Sequence, residues 1–70
     1  MNQVRFYDER GQVKDAREMS TTPHVGENVR IDEQLYVCCS VTHVIEGQEI
    51  YIEAHIAKRE HVRRFLGGTS

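Results

Sequence analysis

Between positions 35 and 57 apolar and polar residues alternate with a period of two, the mark of half-buried strands. LYVCCSVTHVIE (35–46) and EIYIEAHIA (49–57) are separated only by Gly47-Gln48. Glycine at the first central position suits a two-residue type II′ turn, which would fix the register. Glu46 then faces Glu49, Ile45 faces Ile50, His43 faces Ile52, Val41 faces Ala54 and Cys39 faces Ile56. One face of this hairpin carries Val37, Cys39, Val41, His43, Ile45, Ile50, Ile52, Ala54 and Ile56. The other carries Tyr36, Cys38, Ser40, Thr42, Val44, Tyr51, Glu53 and His55. A slip of one residue would scramble that separation.

Upstream, residues 26–32 predict a short strand with Val29 and Ile31 inward. A three-residue loop, Asp32-Glu33-Gln34, would pair Ile31 with Leu35 and Val29 with Val37, keeping apolar against apolar. Residues 20–24, with the single proline at Pro23, read as a loop. Residues 4–8 alternate as a strand, and Glu9-Arg10-Gly11 make a turn. Residues 12–18 form a second, more polar strand, although 15–19 also suit a helix. After Ala57 the period changes: Val62, Phe65 and Leu66 share one face at helical spacing. This predicts a short helix over 59–66, capped by Gly67-Gly68, with Arg63 and Arg64 where the helix dipole favours cations. One domain would span 1–66 and a flexible tail 67–70.

Five short strands and a terminal helix predict a small, strongly bent barrel. Composition sharpens this picture in three ways. At 70 residues, with 39% hydrophobic residues and no tryptophan, the core is small. Such a core rarely supplies more than about 3–5 kcal/mol unaided, which favours a partner or a second copy. The only cysteines, Cys38 and Cys39, are adjacent. Strand neighbours point to opposite faces, so they read as reduced thiols in a cytoplasmic protein rather than a bridge. The net charge of −2 hides an asymmetry, since residues 58–70 carry +3 and residues 1–57 carry −5.

The run Pro23-His24-Val25-Gly26-Glu27-Asn28-Val29-Arg30-Ile31, followed by Leu35-Tyr36-Val37 and Val41-Thr42-His43-Val44, resembles a recurring layout. It is similar to the P-x-V-G-E-x-V-x-I, then Y-x-V, then V-x-H pattern of small SH3-like barrels, several of them encoded by bacteriophages and prophages. The likeness spans about residues 23–57. It implies a mainly β protein, a five-stranded SH3-like barrel with a short C-terminal helix. It further implies a modular protein- or nucleic-acid-binding role, such as that of a phage accessory protein, and brings no catalytic residues with it.

The chemistry-bearing residues agree with a non-catalytic role. Cys39 and His43 share a face but lie about 13 Å apart on a strand, too far for one ion. Cys38 and His55 are diagonal neighbours on the outer face, yet structural zinc wants four ligands and no paired spacing supplies them. No cofactor is expected. Ser40 opposes His55 without a third group or an oxyanion turn beside it. His43, polar on the apolar face, would sit at the open end of the barrel, satisfied by a backbone carbonyl. The surfaces that suit contact are the outer hairpin face (Tyr36, Tyr51, Glu53, His55) and the basic terminal segment (Arg59, Arg63, Arg64). The expected function is that of a binding module acting by protein–protein contact, as inhibitor or adaptor, and self-associating. The alternative is an anion-binding barrel that takes nucleic acid or a nucleotide-like molecule on the basic segment.

Overall fold

Five strands follow one another along the chain: β1 (Asn2–Tyr7), β2 (Val13–Met19), β3 (Asn28–Ile31), β4 (Gln34–Glu46) and β5 (Glu49–Lys58). The computed structural model describes residues 2–61. The strands form one sheet in the order β2-β1-β5-β4-β3, curled into a half-barrel that matches the mainly β, SH3-like expectation. Residues 15–19 belong to β2, so the helical option there is not taken. A short helix begins at Arg59. The expected helical face of Val62, Phe65 and Leu66, the contact residues Arg63 and Arg64, and the tail 67–70 lie outside the described residues.

Each hairpin is closed by chemistry local to its turn. Between β1 and β2, Asp8 Oδ1 accepts hydrogen bonds from the backbone N–H groups of Arg10 (2.9 Å) and Gln12 (3.0 Å). These bonds to the charged form, that from Gln12 foremost, hold the Asp8 carboxyl below its usual range. The β4–β5 turn is the one expected: Gly47 has φ 61°, Glu46 pairs with Glu49, and the register runs unbroken to Ser40 opposite His55.

Two features of β4 overturn the expected faces at its other end. The β3–β4 connection has two residues, not three, with Ile31 opposite Gln34 and Val29 opposite Tyr36. Asp32 and Glu33 both take positive φ, 50° and 69°, the pair of conformations that a type I′ turn requires. Its twist matches that of the strands, and this outweighs the apolar pairing on which the longer loop rested. Between Cys38 and Ser40 the ladder then shifts, so that Cys38, not Cys39, pairs with Ile56. The extra residue is Cys39. A bulge of this kind flips the faces upstream of it and bends the strand. Tyr36 and Cys38 therefore point into the core, while Val37 and Cys39 point away from it.

The core is the cluster of Val4, Phe6, Tyr36, Cys38, Ile52, Ala54 and Ile56. Met19, Val29, Ile31 and Val41 pack against it, half-buried. Val37 and Ala57 form a second buried pair, opposite one another in the β4–β5 ladder. The 24–27 segment is tied alongside β4, with Gly26 N–H on Cys38 O at 2.8 Å and Cys38 N–H on Glu27 O at 2.9 Å.

Candidate functional site

The pairing of β1 with β5 is parallel and joins residues about fifty positions apart, Arg5 with Glu53 and Tyr7 with His55. On β5, the residues between the core positions Ile52, Ala54 and Ile56 alternate to the opposite face of the sheet. That face carries one continuous ladder of side chains. The Arg5 guanidinium lies 3.8 Å from the centre of the Tyr51 ring. Tyr51 Oη donates to Glu53 Oε2 at 3.3 Å. His55 Nε2 lies 3.6 Å from Glu53 Oε1. The His55 ring stacks on Tyr7 with centroids 5.2 Å apart and planes 17° from parallel.

All five of these residues are half-buried. Desolvation, with the Glu53 carboxylate as the next contribution, raises the Tyr51 phenol above its ordinary pKa. At neutral pH Tyr51 is thus a hydrogen-bond donor held in place by a cation over its ring. Val44, Thr42 and Ser40 continue the surface on β4, opposite Tyr51, Glu53 and His55 respectively. A guanidinium, two phenol rings, an imidazole and a carboxylate in fixed mutual order can offer both flat apolar area and directed hydrogen bonds to a partner.

Of the residues expected to make contact, Tyr51, Glu53 and His55 come together here. Tyr36 does not: it is 4% exposed in the core, because the Cys39 bulge turns that end of β4 over. Arg59 is exposed where the terminal helix starts, beyond the end of β5. Arg5 and Tyr7 complete the ladder and were missed. Their alternation in 4–8 was legible in the sequence, but the parallel pairing that brings them to β5 has no local signal.

The candidate reactive groups are also rearranged. Ser40 does oppose His55. Cys38, expected on the outer face near His55, instead faces the core, and burial first of all raises its thiol pKa. His43 is exposed rather than buried against a carbonyl, so it stands in solvent and needs no buried partner. Among the described residues no three of His, Cys, Asp and Glu are grouped so as to hold a metal ion. No helix among them is long and apolar enough to cross a membrane.

A cleft of about 300 Å³ opens between the two sheet edges, β2 and β3. Phe6, Met19, Val29 and Ile31 supply its apolar lining, and Lys14, Arg17 and Arg30 are among the charged residues around it. The chain matches no protein-family model, no curated protein and no solved structure.

Proposed function

We propose that this protein is a non-catalytic binding module that works by protein–protein contact, using the sheet face built by β1 and β5. The observation that carries the proposal is the ladder Arg5–Tyr51–Glu53–His55–Tyr7, each member touching the next. Arginine and tyrosine are the side chains that most often anchor interfaces. Here they are already ordered by one another, so a partner would meet a surface that loses little further rotamer freedom on binding. The raised thiol pKa of Cys38 and its burial leave it a poor nucleophile, which also favours a role without chemistry. The resemblance to small phage-encoded SH3-like barrels fits such a module, acting as an accessory inhibitor or adaptor in the cytoplasm.

The test is quantitative capture of a partner on immobilised protein, comparing the wild type with Tyr51→Ala and Arg5→Ala. Each truncation removes an anchor worth about 2 kcal/mol, so retention should fall roughly thirtyfold with an unchanged circular-dichroism spectrum. Equal retention by all three proteins would remove this face from consideration. Salt separates the anion-binding alternative, for which the exposed Lys58 and Arg59 speak. Capture of a phosphate-rich ligand should weaken steeply between about 50 and about 200 mM salt, whereas a contact through the aromatic ladder should change little.

A further inference from the structure

The long hairpin outruns the rest of the sheet. β3 pairs with β4 only at residues 34–37, and β1 pairs with β5 only at residues 52–55. Residues 44–51 are therefore a two-stranded arm, paired only with itself, in a molecule 43 Å long and 23 × 21 Å across. A lone two-stranded ribbon is marginal in water.

Its inward face continues the alternation of half-buried Val41 and the core residue Ile52, yet ends in the open. Ile45 and Ile50 sit directly opposite one another near the tip and are 73% and 72% exposed. Next to them, on the other face of the ribbon, Glu46 faces Glu49 across the ladder, a like-charge pair that destabilises a hairpin left alone. The tip thus carries an apolar pair on its inward face and two carboxylates on its outward face, each feature lacking its complement within the arm.

The same chain holds that complement. In the cleft between β2 and β3, half-buried Met19, Val29 and Ile31 leave apolar surface uncovered, and Lys14, Arg17 and Arg30 stand exposed around it. Arg17 is engaged by Asp15 at 2.8 Å, and Asp32 adds a further carboxylate to the lining. The cleft keeps a positive balance where the arm tip is negative. Its space of about 300 Å³ corresponds to on the order of ten water molecules that an apolar occupant would displace.

We infer that the arm of one copy docks in the β2–β3 cleft of a second copy, with Ile45 and Ile50 down against Met19, Val29 and Ile31 and with Glu46 and Glu49, on the ribbon's other face, met by the long side chains of Lys14 and Arg30 reaching up from the rim. The occupant is a second copy because knob and hole, apolar to apolar and acid to base, lie on one sequence. This goes beyond the outer-face reading, since the inward arm face and the cleft contain none of the five ladder residues.

The test is the mass of the full-length protein in solution by sedimentation equilibrium over a wide concentration range. The wild type should self-associate. An arm variant, Ile45→Thr with Ile50→Thr, and a cleft variant, Lys14→Glu with Arg30→Glu, should each associate at least tenfold more weakly. All four positions are exposed, so at concentrations where each protein is monomeric both variants should keep the wild-type urea midpoint. Mixing the two variants should restore a one-to-one dimer, because the cleft variant keeps a wild-type arm and the arm variant a wild-type cleft. A wild type that stays monomeric overturns the inference. So does association that neither variant weakens, or a mixture that fails to pair. Arg5→Ala, a ladder variant outside both arm and cleft, should leave self-association intact, so the outer-face proposal and this one fail separately.

Discussion

Cys38 and Cys39 occupy adjacent places in the chain and opposite environments. Cys38 is 1% exposed and its thiol weakly donates to Ser40 O at 3.7 Å, whereas Cys39 is exposed. Burial, followed by the nearby Cys39 and Glu27, pushes the Cys38 thiol up, and reactivity requires the thiolate. The native protein should therefore take up one equivalent of a charged thiol reagent, at Cys39, and a second only after denaturation. Rapid uptake of two equivalents by the native protein would contradict the bulge. That one thiol is buried and one exposed follows from strand alternation alone. Which is which does not, since the alternation counted back from Gly47 assigns them the wrong way round. The same reversal sends Tyr36 inward, while Tyr51, on the turn side of the bulge, stays on the face its position implies.

At the scale of elements, the turns carry the clearest energetics. Glu33 adopts φ 69° in the β3–β4 turn, a left-handed conformation that costs a residue with a Cβ about 1–2 kcal/mol. Glycine adopts it freely but brings a more flexible unfolded chain. Glu33→Gly should therefore raise stability by about 0.5–1 kcal/mol, read as a higher urea midpoint without a change in slope. A lower midpoint would mean that the Glu33 side chain makes a contact outweighing its backbone strain. The two-residue turn and the Cys39 bulge also act together. The shorter turn places Tyr36 opposite Val29 on the core side, and the bulge then returns Val41 to that side further along the same strand. Either change alone would leave half of β4 facing the wrong way.

At the scale of the molecule, the carboxylate of Glu9 ties the β1–β2 turn to the far end of the chain. Its Oε2 accepts from the Lys58 backbone N–H at 3.1 Å and lies 2.7 Å from His61 Nδ1. The His61 contact foremost, then the Lys58 N–H, holds the Glu9 carboxyl below its ordinary value of 4.5. A carboxyl whose folded pKa is depressed adds stability above the unfolded value and loses it as pH falls through the folded one. The urea midpoint should accordingly fall between about pH 5 and about pH 3, and fall less in Glu9→Gln, which cannot titrate there. Identical acid limbs for the two proteins would show that the tie contributes nothing. The tie lies where β5 ends and the terminal helix begins, next to a turn almost fifty residues away.

What the residues determined by themselves was local: five strands, the Gly47 turn and the Ser40–Glu46 register. These follow from period-two alternation and from turn chemistry that acts over a few positions. The tertiary structure decided the rest. The bulge at Cys39 answers the need to curl a long strand around a small core, which no single segment records. The parallel pairing of β1 with β5 is a contact between chain ends, and it alone assembles Arg5 and Tyr7 with Tyr51, Glu53 and His55. The cleft exists because the two edge strands, β2 and β3, remain unpaired when the sheet curls. Surfaces built from distant segments have no sequence pattern of their own, because alternation reports which way a residue points and not what stands beside it.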